Sequence, residues 1–199
     1  MRFVNPTNKG ESMKLIVALG NPTPKYAKTR HNVGFMALDF YVAKFLESAP
    51  LAMSAKFNAE ILKCENVIFA KPQTFMNASG ESIKRIADFY KISDIAVIHD
   101  DLDLNLGAVR FKFGGGNAGH NGLKSIDNLL GKEYLRIRIG IDKPQKDNPN
   151  AVLDFVLGDF SEAEMKILEP TFEIMANAID SYINGANLVD LQNKYTKKK

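Results

Sequence analysis

Short apolar segments that end abruptly in polar residues recur along this chain of 199 residues. Residues 15–19 and 95–98 are two such segments, and they are typical of strands that are buried on both faces. Between them lie longer segments, beginning near Val33, Ala78, His120 and Ser161, in which apolar residues repeat every three or four positions as in a helix. This alternation predicts an α/β fold, a three-layer sandwich in which helices flank a mixed, largely parallel and twisted sheet.

The remaining elements follow from local patterns. Residues 55–62 and 67–71 flank a short polar segment and predict a hairpin. Residues 143–150, rich in Pro, Lys, Asp and Asn, predict a loop before a long helix, which Pro170 should kink or interrupt. A short last helix is expected over residues 186–194. Asn32 is available as the N-cap of the first helix.

The size and composition of the chain favour one unit. A hydrophobic content of 45% over this length suffices for one substantial core. Residues 1–12 are polar and lack periodicity, and they precede Met13, which resembles a natural start running directly into a strand. We therefore expect residues 1–12 to be a leader or alternative start outside the core, and residues 13–199 to form a single domain.

Bulk properties exclude several classes of protein. The single cysteine, Cys64, permits no intramolecular disulfide and no multi-cysteine zinc site. No apolar run approaches the roughly 18–20 residues of a membrane span, and the first residues lack the layout of a signal peptide. We expect a soluble cytoplasmic protein. A net charge of +3 favours an anionic partner only weakly, so the location of the charges must decide.

Basic residues alternate with apolar ones in two segments, residues 109–113 and 135–141. An alternating strand has one apolar face and one polar face, and the polar faces here carry the basic side chains. If the two strands are neighbours, these side chains form one positive patch that binds phosphates without reading sequence. The residues concerned are Arg110, Lys112, Arg136 and Arg138.

Polar residues collect where the predicted strands end. Asn21 follows the first strand, Asn77 precedes a helix, and Asp100 follows residues 95–98, while His31 lies at the mouth of the first helix. Ligands of open α/β sheets bind beyond the carboxyl ends of the strands. A His–Asp pair there is a workable hydrolytic set, because the carboxylate orients the imidazole while its free nitrogen takes a proton from water.

Each of these residues also has an ordinary structural interpretation. A lone histidine at a helix start is more often a capping group than a base, and an asparagine before proline is common in turns. His99 ends an apolar strand and is expected to be structural. The glycine-rich segment 114–122 precedes a helix, which indicates unusual backbone angles or a close ligand, yet it lacks the phosphate-loop pattern.

Six segments, taken in order, resemble the bacterial-type peptidyl-tRNA hydrolases. They span residues 14–22, 26–34, 74–80, 99–104, 111–124 and 136–141, and their most distinctive parts are Gly20-Asn21-Pro22, Thr29-Arg30-His31-Asn32, Thr74-Phe75-Met76-Asn77, His99-Asp100-Asp101-Leu102-Asp103, Gly119-His120-Asn121-Gly122 and Arg136-Ile137-Arg138. One segment alone would be a weak signal, but the ordered set is specific. The resemblance implies hydrolysis of the ester between a peptide and the 3′ end of tRNA.

The resemblance also implies roles for particular residues. His31 would be the catalytic base and Asp100 the carboxylate that orients it, with no metal or cofactor. Lys112 and Arg138 would contact tRNA phosphates. The partner would be peptidyl-tRNA, bound by a monomer. Residues expected to hold the substrate near its 3′ end are Asn21, Tyr26, Met76, Asn77, His120 and Asn121.

Two other functions remain open. One is a metal-dependent phosphohydrolase that uses His99 and Asp100 with Asp103, which is disfavoured because such motifs usually lie on helices and the chain has only three histidines. The other is a non-catalytic RNA-binding relative, such as the plastid splicing factors that resemble this family. Retention of His31, Asp100 and Asn21 argues against it.

Overall fold

The computed structural model describes residues 13–46, 50–145 and 148–197. Seven strands in this part of the chain form one sheet, and six α-helices surround it. The strands are β1 (Lys14–Ala18), β2 (Ala52–Ser54), β3 (Ala59–Lys63), β4 (Val67–Pro72), β5 (Asp94–Asp101), β6 (Val109–Phe113) and β7 (Leu135–Gly140). The helices are α1 (Val33–Phe45), α2 (Ser79–Tyr90), α3 (Asn121–Leu130), α4 (Pro149–Val156), α5 (Glu162–Ile183) and α6 (Leu188–Tyr195).

The strand order is β2-β3-β4-β1-β5-β7-β6. The four central strands β4, β1, β5 and β7 are parallel, whereas β2, β3 and β6 pair antiparallel toward the edges. The mixed, mainly parallel sheet and the β3–β4 hairpin are therefore confirmed. β5 is longer than its apolar run predicted, because His99, Asp100 and Asp101 pair with β7 and continue the strand.

Two cores lie on opposite faces of the sheet. Alternate residues of β1 show the division, since Ile16 packs with α1 and α5 while Leu15 and Val17 pack with α2 and α3. A strand whose successive side chains point to opposite faces needs cover on both. The three-layer arrangement expected from the sequence follows.

Gly34 allows α1 to approach the sheet closely. A Cβ atom at this position would lie 2.6 Å from the carbonyl oxygen of Leu19 and 2.7 Å from that of Ile98. Because neither strand backbone can shift without disturbing the close-packed sheet, only glycine fits at this position. This close approach holds His31, three residues upstream, over the carboxyl ends of β1 and β5.

Two local expectations differ from the structure. An interruption at Pro170 was wrong, because α5 continues through this residue as one helix, anchored at its start by a capping box formed by Ser161 and Glu164. The predicted loop over residues 143–150 ends in the first turn of α4, whose N-cap Asn148 accepts from the backbone N–H of Ala151. Asparagine followed by proline is a helix-start signal.

The proposed leader, residues 1–12, lies outside the described residues. None of the helices described is long and apolar enough to cross a membrane.

Candidate active site

His31 and Asp100 meet at the carboxyl edge of the sheet although 69 residues separate them in sequence. His31 lies in a short 3₁₀ turn, Arg30–Asn32, just before α1, and Asp100 lies near the end of β5. The Nδ1 atom of His31 is 2.9 Å from Oδ1 and 3.0 Å from Oδ2 of Asp100. Both side chains are buried, so the pair interacts with little competition from water.

His120 contacts the same carboxylate from the other side. Its Nε2 atom lies 3.0 Å from Oδ1 of Asp100. The Nδ1 atom accepts from the backbone N–H groups of Gly122 and Leu123 at 3.1 and 3.4 Å, which makes His120 the N-cap of α3. The imidazole rings of His31 and His120 have their centroids 4.8 Å apart.

The electrostatics of this cluster favour an ionised Asp100. Burial by itself would raise the pKa of the carboxyl, but the neighbouring His31 and His120 hold it well below the usual range. Burial also opposes the charged form of His31, and the Asp100 carboxylate more than offsets this, so that the pKa of His31 is raised. Burial lowers the pKa of His99 to about 3.

His31, Asp100 and His120 form the one cluster among the described residues with metal-ligand spacing. One nitrogen or oxygen from each lies within 4.8 Å of the others. The same atoms already form N–H···O hydrogen bonds with one another, so the geometry is accounted for by a hydrogen-bonded network.

Asn21 ties two loops together beside this cluster. Its Oδ1 atom accepts from the backbone N–H of Met76 at 2.9 Å. The side chain of Asn32 in turn accepts from the backbone N–H of Asn21 and donates to its carbonyl oxygen. Asn32 occupies the N-cap position of α1 as expected, but its side chain makes no cap hydrogen bond, because its amide is bonded to Asn21.

The backbone on both sides of this link is strained. Thr23 has φ 82° and ψ 149°, and Phe75 has φ 57° and ψ 160°. Such angles are uncommon for residues with a side chain and cost on the order of 1–3 kcal/mol. They set the half-exposed Phe75 ring edge-on against Tyr26, with centroids 6.3 Å apart. Asn77 follows in an exposed position.

A cavity of about 840 Å³ opens from the histidine cluster. Of the residues predicted for the site, six line it: His31, Lys112, Asp100, His120, Asn121 and Arg138. The other four, Asn21, Tyr26, Met76 and Asn77, belong to the two neighbouring loops and not to the lining. The sequence-predicted residues therefore form two groups that meet at the histidine cluster.

The basic strands are neighbours, as expected, with Arg110 opposite Arg138 and Lys112 opposite Arg136. The environments of the four side chains differ, however. Arg136 is buried, with its guanidinium bonded to Asp127 and to the carbonyl oxygens of Gly115 and Gly116. Arg110 donates to the carbonyl oxygen of Lys197. The predicted positive patch is therefore smaller than four residues, because Arg136 and Arg110 are engaged by groups of the protein itself.

The two remaining cations border the cavity. Lys112 is exposed. Arg138 donates from Nε to Asp101 at 2.7 Å and keeps a quarter of its side chain exposed. Lys112 and Arg138 are therefore the members of the predicted patch that are best placed to meet an anion.

Sequence reasoning missed two features that build the site, Arg30 and helix α4. The Nη2 atom of Arg30, beside His31, donates to both carboxylate oxygens of Glu164, at 2.8 and 3.1 Å. The Arg30 guanidinium also lies over the ring of Phe155. These contacts hold the His31 turn against the start of α5. Helix α4 supplies the apolar side of the cavity through Val152, Leu153 and Val156. The Asn148-Pro149 start signal could have revealed α4, whereas no local pattern reveals the Arg30 contacts.

Known proteins match the chain over nearly its whole length. A family model described as peptidyl-tRNA hydrolase matches residues 15–199. The chain is 47% identical over 187 residues to the peptidyl-tRNA hydrolase of Campylobacter concisus (strain 13826), covering 94% of this chain and 98% of that protein. It is 48% identical over 188 residues to that of Aliarcobacter butzleri (strain RM4018), covering 94% and 100%.

A solved structure has the same fold. The crystal structure of peptidyl-tRNA hydrolase from Acinetobacter baumannii superposes with a TM-score of 0.86 at 33% identity, covering 96% of this chain and 99% of that one. The matched sequences and the matched architecture together show that this chain belongs to the peptidyl-tRNA hydrolase family.

Proposed function

We propose that this chain hydrolyses the ester bond between a peptide, or an N-blocked amino acid, and the 3′ end of tRNA. In this reaction His31 is the general base and Asp100 orients it. The observation that carries the proposal is the buried His31–Asp100 pair at the end of a large cavity, in a chain of this family. Such a reaction recycles tRNA from prematurely released peptidyl-tRNA.

The proposed mechanism begins with the tautomer of His31. Because Nδ1 faces an ionised carboxylate, it carries the proton, and Nε2 is left with a lone pair. Nε2 removes a proton from a water molecule as the water oxygen attacks the ester carbonyl carbon. Asp100 then stabilises the positive imidazole. General-base catalysis of this kind contributes roughly 10²–10⁴-fold to a rate.

The second half of the reaction returns the proton. As the tetrahedral intermediate collapses, the ester C–O bond breaks and His31 gives its proton to the departing ribose oxygen. The products are a tRNA with a free 3′ hydroxyl and a peptide carboxylic acid, which releases its proton to solvent and becomes a carboxylate. Amide N–H groups directed at the developing oxyanion add a few kcal/mol in comparable acyl-transfer sites.

Substrate binding divides between the two groups of residues around His31. In the proposal, the two neighbouring loops hold the acceptor end through Asn21, Tyr26, Met76 and Asn77, and Asn121 contributes from the cavity side. The Oδ1 atom of Asn21 is already engaged by Met76, so Asn21 would act on the substrate through its amide N–H₂. Lys112 and Arg138 receive phosphates of the tRNA.

The cellular setting is part of the same proposal. A monomer that acts in the cytoplasm suits a chain with a single, partly buried thiol, Cys64. The basic side chains bordering the cavity suit an enzyme that must accept many tRNAs, because phosphate contacts carry no base sequence.

The testing experiment measures release of a labelled N-blocked aminoacyl group from tRNA by the parent and by His31→Ala. The parent should turn over with a chelator present, and the variant should retain less than about 1% of the rate, as expected on losing a general base. Asn117→Ala is the matched control, since Asn117 borders the same cavity and has no proposed role.

Three results would count against the proposal. Loss of parental activity with a chelator would favour the metal-dependent phosphohydrolase. Tight tRNA binding without any release by the parent would favour the RNA-binding relative. A His31→Ala rate close to that of the parent would remove the general base.

A further inference from the structure

The hydrogen bonds of His120 fix which of its nitrogens carries a proton. Nδ1 accepts from the backbone N–H groups of Gly122 and Leu123, so it presents a lone pair. The proton of a neutral imidazole then resides on Nε2, which faces Oδ1 of Asp100 at 3.0 Å. A second proton on Nδ1 would point at backbone donors at the positive end of α3. His120 is therefore held in the tautomer that donates from Nε2 to Asp100.

Asp100 accordingly accepts from two imidazoles at once. Oδ1 accepts hydrogen bonds from Nε2 of His120 and from Nδ1 of His31, and Oδ2 also lies 3.0 Å from Nδ1 of His31. The carboxylate is only 3% exposed, so water does not supply a competing donor. Each bond draws negative charge toward its own donor, and the two together fix the plane of the carboxylate.

We propose that His120 is a positioning residue that acts through Asp100, and that it is not primarily a contact to substrate. Its Nε2–H group orients the carboxylate toward His31 and withdraws part of the charge that would otherwise raise the basicity of His31. The start of α3 holds His120 in the tautomer that this role requires. The inference rests on the proposed function only in taking His31 as the general base.

The packing around His120 holds its imidazole ring in one orientation. A Cβ atom on Gly122 would lie 2.6 Å from Sδ of Met76 and 3.1 Å from Cε1 of His120, so the start of α3 fits against the imidazole only with glycine there. The ring of His99 meets that of His120 edge to face, with centroids 5.2 Å apart. These contacts leave the imidazole little freedom to turn toward a bound ligand.

Other ionisable groups near the cluster are accounted for. His99 is neutral through the assay range, because burial lowers its pKa to about 3, and its Nδ1 donates to the backbone carbonyl of Asp100. Asp101 is paired with Arg138, and Arg136 with Asp127. The other charged residues of the cavity are Asp103, Lys112 and Lys143, which both test variants leave unchanged.

Two substitutions separate the two bonds of His120. The side-chain oxygen of asparagine lies about where Nδ1 of histidine does, so His120→Asn keeps the cap of α3 and loses the donor to Asp100. The amide nitrogen of glutamine lies about where Nε2 does, so His120→Gln keeps the donor and loses the cap. The pair therefore distinguishes a positioning role from a purely structural one.

The experiment measures the His31 pKa by NMR titration, the dependence of kcat on pH, KM and the melting temperature in the full chain. In His120→Asn, the His31 pKa should rise by roughly half a unit to one unit, because Asp100 directs more of its charge at His31. The acidic limb of kcat should move to higher pH by the same amount, with a melting temperature near that of the parent. His120→Gln should melt lower and keep the parental His31 pKa.

The proposal is overturned if the His31 pKa and the acidic limb are unchanged in His120→Asn, or if His120→Gln shifts them equally. A change confined to KM would make His120 a substrate contact instead. The titration requires no turnover, so a failure of the proposed hydrolase activity would be recognised separately by the His31→Ala assay.

Discussion

The cavity joins two regions with opposite characters. The first is the histidine cluster, His31, Asp100 and His120, in which buried side chains bond to one another. The second is the basic strand face, which carries Arg110, Lys112, Arg136 and Arg138 and borders the cavity through the last three. Its exposure varies from the buried Arg136 to the exposed Lys112. Charges interact strongly where water is excluded and are screened by salt where it is not.

In the proposed reaction, the histidine cluster and the basic strand face have different tasks. Proton transfer needs fixed geometry and little competing water, which the histidine cluster supplies. Recognition of a phosphate backbone needs accessible cations and tolerates their motion, as Lys112 provides. Changes in the histidine cluster should therefore appear in kcat for every substrate, whereas changes in the basic strand face should appear in binding and only for substrates that carry the tRNA.

The largest effect is expected for Asp100→Asn. The substitution preserves shape but removes the charge that supports a positive His31 and favours the wrong His31 tautomer, so kcat should fall by about 10²–10⁴-fold. The fall should be equal for full tRNA and for a fragment that carries only the terminal nucleotide and peptide. A loss seen only with full tRNA would show that Asp100 serves binding. That result would contradict the division of tasks between the histidine cluster and the basic strand face.

Arg136→Ala tests the claim that the basic strand face is not uniform. Arg136 and Asp127 are 3% and 4% exposed, and removing one member of a buried pair leaves an uncompensated charge. Chemical denaturation should show a loss of about 3–5 kcal/mol in the free energy of unfolding. The matched change Arg138→Ala, on the more exposed pair with Asp101, should cost clearly less. Equal losses would mean that burial does not distinguish the two arginines.

The pH dependence of the parent tests the histidine cluster alone when the small fragment is the substrate. In the proposed mechanism His31 acts as a base only when unprotonated, and its pKa is raised by Asp100 above the usual value near 6.5. The rate should therefore decline as pH falls through that raised pKa, approaching tenfold per unit below it. Asp100 has a pKa well below its usual range and stays ionised there. A pH-independent rate between 5 and 8, roughly the histidine range, would contradict His31 as the base.

The smallest effects are expected for Lys112→Ala and Arg138→Ala. Each should weaken binding of full tRNA substrate and reduce the slope of log affinity against log salt by roughly 0.7–0.9, while fragment hydrolysis stays at the parental level. Lys112 should change the slope more, because Asp101 already offsets part of the charge of Arg138. A salt series of KM values decides the matter, and unchanged slopes would make both residues ordinary solvated strand positions.

The periodic patterns in the sequence predicted which segments form strands and helices better than they predicted where those elements end. Period-two and helical repeats located the strands and most helices, because periodicity is a property of a short stretch of chain. β5 extends beyond its apolar segment because His99, Asp100 and Asp101 pair with β7. The Asn32 side chain makes no cap hydrogen bond because it bonds to the backbone N–H and carbonyl oxygen of Asn21. Both differences come from partners that are distant in sequence.

The sequence by itself determined the α/β alternation, the polar residues at the strand ends and the shared face of the four basic residues. Only the tertiary structure decided which partners those residues have. His31 and Asp100 meet because Gly34 lets α1 approach the sheet, and Arg136 is neutralised because α3 brings Asp127 beside it. His120 donates to Asp100 from Nε2 because the start of α3 occupies its other nitrogen. Periodicity is encoded locally, whereas the charge state and orientation of a side chain depend on groups that only packing brings within hydrogen-bond distance.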